Sequence, residues 1–538
     1  MEALSFDYII IGAGSAGCVL ANRLSASGKY KVALVEAGGK DLSPWIHIPV
    51  GYFKTMGNPK TDWQYQTEND SGLNGRSIKW PRGRVLGGSS SINGLLYVRG
   101  QKEDFDRWQA LGNPGWSFQD VLPFFKRSET WLGDTVDPNA VRGNSGPLKV
   151  SAPKFSREIV DLWIEAAVQA GYKYTQDYNG IDQEGVGYFQ LTMANGLRCS
   201  SAKAYLTGTG SRTNLAVLTR HQVKKILINE DRAVGVLVDN NGIEKRLMAS
   251  AEVILSAGAI GSPQILMLSG VGDQAELSQM GLENIAHLPG VGKNLQDHLQ
   301  ARPVFKTPLT TINVETKSII KRALIALEFA TKRTGPMTMA ASLGTGFLKS
   351  HPALTLPDIQ FHIQPFSANN AVDGPHPFSA FTASVLQLRP ESSGYLKLQS
   401  VDYRVHPKIY PNYLSTKTDQ DTIVSGIKIA RKIAQYAPLQ PQISEEYAPG
   451  PNVGLDDYDA ILNWARDTSV TIYHPTGTCK MGQDYMAVVD ARLRVHGVKG
   501  LRIADASIMP QITSGNTNAP TIMIGEKAAD MILEDSLT

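Results

Sequence analysis

The chain has only three cysteines in 538 residues, at positions 18, 199 and 479, and no C-x-x-C pair. Cysteines so scattered argue against a disulfide framework or a cysteine-held zinc, and fit a reducing compartment. No stretch of about 18 apolar residues occurs, so no membrane-spanning helix is expected. Neither charge sign dominates. The 53 Lys and Arg residues against 50 Asp and Glu leave a dispersed net charge of +3, and nucleic acid is not an expected partner. The first apolar run starts near Phe6, which leaves no room for a signal peptide. These absences predict a cytoplasmic enzyme. What is present is a globular composition, 42% hydrophobic with 50 glycines, in a chain long enough for two or more cores.

Residues 6–36 organise the rest. They read F-D-Y-I-I-I-G-A-G-S-A-G, a helical run, then K-V-A-L-V-E. Tyr8 to Ile11 have the unbroken apolar character of a strand buried on both faces. Gly12, Gly14 and Gly17 form a G-x-G-x-x-G turn that lets a pyrophosphate approach the backbone at a helix N-terminus. Glu36 ends the second strand, where an acid accepts the ribose hydroxyls of an adenine dinucleotide. Strand, helix, strand and acid in order point to a dinucleotide site. This stretch alone does not separate FAD from NAD.

Residues 41–80 read as an aromatic loop region, with Trp45, Tyr52, Phe53, Trp63 and Tyr65, suited to covering a cofactor. There follows G-R-V-L-G-G-S-S-S-I-N-G-L-L-Y-V-R-G, residues 83–100. Its consecutive small residues let backbone N–H groups approach a flat or anionic ligand. Residues 83–106 resemble the first signature of the glucose–methanol–choline (GMC) oxidoreductases. Residues 258–272, G-A-I-G-S-P-Q-I-L-M-L-S-G-V-G, resemble the second. The likeness runs from the first strand to the last helix. It implies FAD as cofactor and a Rossmann-like α/β FAD-binding domain, with a second α+β substrate domain built on an antiparallel sheet. The expected division is 1–302 for the FAD domain, with some substrate-side elements near 156–195, then 303–466 for the substrate domain, and 467–538 for a return to the first domain that carries the catalytic residues.

Local patterns fill in this frame. Residues 156–172 read as an amphipathic helix capped by Ser156 and ended by Gly171. Residues 223–228 and 234–238 pair across a turn at 229–232. Beyond residue 303, alternation places Ile359, Phe361 and Ile363 on one face, and residues 381–388 and 395–399 suggest a hairpin. Ile423, Ile427, Ala430 and Ile433 put one helix onto that sheet. Residues 318–333 leave two readings open. Ile319, Ile320, Ala323, Leu324 and Leu327 share a face flanked by Lys317, Lys321, Arg322, Lys332 and Arg333. That pattern suits a helix lying on a membrane surface, here peripheral contact with the inner membrane, and equally a packed helix with a solvated basic side.

Two C-terminal segments are expected to carry the chemistry: T-I-Y-H-P-T-G-T-C-K-M-G at 471–482 and S-G-N-T-N-A-P-T-I-M-I-G-E-K-A-A-D at 514–530. Pro520 suits the first turn of a last helix whose N-terminus favours the electron-rich pyrimidine side of a flavin. By resemblance His474 is the catalytic base, Asn518 its partner, and the substrate an alcohol whose carbinol hydride passes to flavin. The remaining histidines, His298 and His362 included, are expected on the surface or in packing. The same resemblance assigns cofactor contacts to Gly12, Gly14, Ser15, Ala16, Glu36, Ala37, Arg84, Gly87, Gly88, Ser89, Asn93, Gly94, Leu95, Val223, Ala257, Asp505, Ala506, Asn518, Pro520 and Thr521. Some members hold FAD through a histidine just before the Asn of the first signature. Ile92 stands there in this chain, so FAD is expected to be non-covalent. No metal site is expected. Electrons would pass to a quinone or other acceptor, as in the choline, sorbose and aliphatic-alcohol dehydrogenase branch. The rivals are an O₂-using oxidase of the same family, a flavin-containing lyase or photodecarboxylase, and an NAD(P) dehydrogenase. His474 disfavours the photodecarboxylase, and the two long signatures disfavour the NAD(P) enzyme.

Overall fold

The computed structural model describes residues 4–134, 141–369 and 374–537. The chain starts as expected, with β1 (Leu4–Ile11), the helix Ser15–Leu24 and β2 (Val32–Glu36). Every residue of β2 is buried, as its unbroken V-A-L-V run requires of a central parallel strand. The sheet is completed by β3 (Leu215–Thr219), β4 (Gln222–Asn229), β5 (Arg232–Asn240) and β6 (Ile243–Leu255), in the order β3-β2-β1-β6-β5-β4. β1, β2, β3 and β6 are parallel, whereas β4 and β5 run antiparallel through the tight turn between Asn229 and Arg232. β6 is 13 residues long and is shared. Its first half pairs with β5, and Val253 to Leu255 pair in parallel with the strand Leu501–Ile503 near the other end of the chain. The last helix, Asn518–Asp535, packs against the helix Ser15–Leu24. Glu526, fully buried, fastens the two by accepting from Arg23 at 2.7 and 2.9 Å, and also accepts from Arg127 at 2.8 Å and from the Tyr205 hydroxyl at 2.8 Å.

A second sheet lies over the open side of the first. Its strands are β7 (Leu299–Ala301), β8 (Val304–Lys306), β9 (Gly344–Leu348), β10 (Ile359–Gln364), β11 (Ala380–Gln387), β12 (Glu445–Ala448) and β13 (Val470–Thr471), with Gly185–Tyr188 at one edge. All its pairings are antiparallel. It thus draws strands from either side of 303–466. Alternation divides its faces. Ile359, Phe361 and Ile363 share a core with Ile423, Ile427, Ala430 and Ile433 of the helix Lys417–Ala434. His362 and Gln364 turn the other way.

Two expected features differ. Residues 381–388 do not form a hairpin with 395–399. β11 is already paired on both sides, by β10 and by β7 with β8, so Tyr395–Lys397 pairs with Lys408–Tyr410 instead. The helix expected at 156–172 spans Glu158–Gln169, with Arg157 rather than Ser156 at its cap position; Gly171, at φ +98°, does end the turn. Residues 41–80 hold only short helical turns and two-residue strands. The segment 318–333 forms the helix Ile319–Lys332, and Phe329 is its one buried residue.

Candidate active site

A cavity runs between the two sheets, from the glycine turn after β1 to the loop after β13. The N-termini of the helices Ser15–Leu24 and Asn518–Asp535 open onto it, and neither carries a side-chain cap. Their unpaired N–H groups and positive dipole ends face the cavity rather than a Ser or Asp side chain. Gly12, at φ +98°, makes the turn that aims the first of them, and a Cβ there would meet the Ser256 carbonyl oxygen at 2.5 Å. The loop 83–100 closes beside it. Gly87 N–H donates to the Ala13 carbonyl at 2.7 Å, and a Cβ on Gly88 would lie 2.7 Å from Gly14 Cα. Backbone without side chains on both walls is the cradle a pyrophosphate and a flat ring system require, so the residues fit FAD.

Most of the expected contacts lie on this wall. Gly12, Gly14, Ser15, Ala16, Glu36, Ala37, Gly88, Ser89, Asn93, Gly94, Val223, Ala257, Asp505, Ala506, Asn518 and Thr521 all line the cavity, with His474. Arg84, Gly87, Leu95 and Pro520 do not. Arg84 lies over the Trp63 ring, Gly87 braces Ala13, Leu95 is in a core cluster, and Pro520 is buried in the first turn of the last helix. Glu36 faces the cavity with its carboxylate already bonded to the turn: Oε2 accepts from Ala13 N–H at 2.9 Å and Oε1 from Gly38 N–H at 2.7 Å. Burial raises its pKa to about 7 against those two bonds. Ile92 is buried beside Ile46 and Val85.

At the far end His474 is held at three atoms. Its N–H donates to Asp297 Oδ1 at 2.7 Å, its Nδ1 lies 3.0 Å from His298 Nδ1, and its Nε2 lies 3.0 Å from Asn516 Nδ2. Asp297 is itself anchored by the hydroxyls of Thr471 and Tyr413. The protons can be placed in order. The Leu388 carbonyl, 2.9 Å from His298 Nε2, only accepts, so His298 Nε2 carries a hydrogen. In the neutral ring His298 Nδ1 is then a lone pair and accepts from His474 Nδ1–H. His474 Nε2 in turn offers a lone pair toward the cavity, accepting from the Asn516 amide. Burial, and then the positive charge that His298, His362 and Arg82 would carry, holds the His474 pKa well below the usual histidine range. Burial likewise lowers His298 to about 4. The dyad is neutral at physiological pH.

The partner of His474 is therefore Asn516 and not Asn518. Asn518 is the first residue of the last helix, and its Oδ1 accepts from Ser15 Oγ at 2.7 Å. Asn516 sits two residues earlier, after a bend that only glycine permits. Gly515 has φ +134°, and a Cβ on it would meet Val98 Cγ1 at 2.5 Å. His298 likewise bonds His474 rather than merely packing. Its signal was the D-H pair within G-V-G-K-N-L-Q-D-H.

Comparison with known proteins agrees with this arrangement. The N-terminal GMC oxidoreductase model matches residues 6–300 and the C-terminal model residues 390–525. The chain belongs to the GMC oxidoreductase family. It is an FAD-dependent oxidoreductase. Human mitochondrial choline dehydrogenase is 43% identical over 98% of this chain and 89% of its own length. The alcohol dehydrogenase [acceptor] of Pseudomonas putida is 41% identical over 98% and 96%. Among solved structures, a pyridoxine 4-oxidase from Mesorbium loti superposes with TM-score 0.88 at 28% identity, covering 97% of this chain and 98% of that one. A formate oxidase superposes with TM-score 0.91 at 27% identity, covering 99% of both.

Proposed function

We propose that this GMC enzyme oxidises an alcohol to its carbonyl compound with His474 as the base. The observation that carries this is the unprotonated Nε2 of His474, aimed into the cavity and flanked by the Asn516 amide. An alcohol O–H entering there takes the place of the Asn516 N–H at Nε2 and donates to it, while its oxygen accepts from the Asn516 Nδ2 so released. A neutral imidazole in that position removes the hydroxyl proton as the carbinol C–H bond breaks. Bound FAD supplies the two-electron acceptor for that carbon. The Asp297 bond to the His474 backbone and the His298 bond to its ring fix the base in one orientation. Anaerobic mixing with a primary alcohol should bleach the flavin. A flavin untouched by choline, polyols and aliphatic alcohols alike would end this reading.

FAD is held without a covalent bond to residue 92, because Ile92 has no nucleophile. Acid precipitation should leave the chromophore in the supernatant, and yellow pellets would refute it. The electron acceptor is a quinone or another acceptor rather than O₂. Support comes from the relative named for an acceptor and from the helix Ile319–Lys332. Ile319, Ile320, Leu324 and Leu327 are 74%, 73%, 59% and 59% exposed and form one outward stripe bordered by Lys321 and Arg322. Such a stripe suits an anionic lipid surface, where quinone resides. Reoxidation of the reduced enzyme by air faster than by quinone would make it an oxidase.

A further inference from the structure

The roof of the cavity carries a cation, Arg302, that no carboxylate among the described residues neutralises. Gln300 and Arg302 follow one another with period two out of β7, beside His362 and Gln364 of β10, and all four face the cavity. Arg302 Nη2 donates to Gln364 Oε1 at 3.0 Å, while its Nε is buried without a hydrogen-bond partner. Among the described residues no carboxylate forms an ion pair with it, and the only groups that favour its charge are the Tyr473 and Tyr52 phenols. The two acids on the cavity wall, Glu36 and Asp505, are committed elsewhere. Glu36 bonds the glycine turn, and Asp505 accepts from Gly258 N–H, Ser262 and Ser507 N–H. Beside Arg302, His362 Nε2 and Gln300 Oε1 are also buried without partners. An unpaired buried cation is costly, and a polar pocket left open is a pocket meant for a polar guest.

We propose that the alcohol oxidised here carries a carboxylate at the end remote from its carbinol, and that Arg302 binds that carboxylate. This rests on the alcohol-oxidation reading and specifies its substrate class as hydroxy acids. One guanidinium matches one carboxylate, with its planar fork, better than it matches a dianionic phosphate. Arg302 lies four residue steps of extended chain beyond His298, which holds the base. Their Cα atoms are thus about 13 Å apart, room for several carbons between the two ends of a substrate. The walls between, Tyr52, Phe53, Trp63 and Phe366, are aromatic and suit that carbon chain. Aromatic walls also suit a quaternary ammonium, but a choline-like cation here would face Arg302 with no acid to offset it.

The test uses the holoenzyme with 6-hydroxyhexanoate, 1,6-hexanediol and choline, read as kcat/KM with a dye acceptor. The hydroxy acid should exceed the diol by about ten- to a hundred-fold, the worth of one charge-assisted bond, and choline should be the poorest. R302M should collapse the acid-to-diol ratio toward one, with R302K in between. Hexanoate, which has no carbinol, should perturb the flavin absorbance of the wild type and bind R302M about ten- to a hundred-fold more weakly. A wild type that prefers the diol or choline, or a ratio and a hexanoate affinity that R302M leaves unchanged, overturns the anion site and leaves alcohol oxidation standing. A flavin reduced by none of the three alcohols sinks the alcohol reading, and hexanoate binding then still decides on Arg302.

Discussion

At His474 the order of protons makes the base easy to test. His474→Ala should slow anaerobic flavin reduction by about 10²–10⁴-fold while FAD stays bound. Asn516→Ala should cost less, because it removes an orienting amide and not the base. Asn518→Ala should leave reduction near wild type and loosen the cofactor instead, since Asn518 ties Ser15 to the last helix. Equal damage from Asn516→Ala and Asn518→Ala would undo that distinction. The pH profile has a definite sign. The His474 pKa is lowered by burial, so the rate should fall only as pH drops below about 6.5, the unperturbed value. Loss of rate at higher pH would mean that another group is the base. A proton taken at Nε2 would find no onward acceptor at His298. His298 points its other N–H at a carbonyl, so the proton leaves through the cavity once the product has gone. Glu36 gives a second profile. Its raised pKa, about 7, comes from burial, and ribose O–H donors would favour the ionised form. FAD affinity should therefore rise as pH increases toward 7 and level off above it, and Glu36→Ala should flatten the curve. An affinity that falls over that range would mean Glu36 faces away from the ribose.

Among elements, the helix Ile319–Lys332 gives the sharpest test of membrane contact. Leu324→Glu with Leu327→Glu places two acids on its outward stripe. This double variant should lose flotation with vesicles containing phosphatidylserine while keeping dye-linked turnover. Undiminished flotation refutes the docking role, and a wild type that dimerises through this face without binding vesicles does so too. Local signals explain which elements were legible in sequence. The turn at 12–17, the turn between β4 and β5 and the buried face of Lys417–Ala434 each depend on residues close together in the chain. The second Asn of the active site did not. S-G-N-T-N offers two amides two residues apart, and only the left-handed bend at Gly515 decides which one turns to the cavity. His298 meets His474 because β7 pairs with β13, Leu299 opposite Thr471, a register no local pattern announces. The 381–399 hairpin failed for the converse reason: a good local turn lost to strands from 299–306 and 359–364 that already held both edges.

Across the whole molecule, the dinucleotide domain is closed by the end of the chain. Leu501–Ile503 completes the sheet beside β6, and Glu526 fastens the last helix to the first. Glu526→Gln should weaken that hub by about 1.5–3 kcal/mol, seen as a lower denaturant midpoint, and FAD retention should fall with it. A stability change without loss of FAD would separate the hub from the cofactor site. The contact between Arg23 and Glu526 spans 503 residues of chain. At about 5–20 residues per second of synthesis, the second partner emerges roughly 25–100 s after the first. For all of that time the glycine turn is finished but the wall that faces it does not exist. A nascent chain that has not yet reached the last helix therefore lacks one wall of the flavin's cradle, and loading should follow the synthesis of that helix.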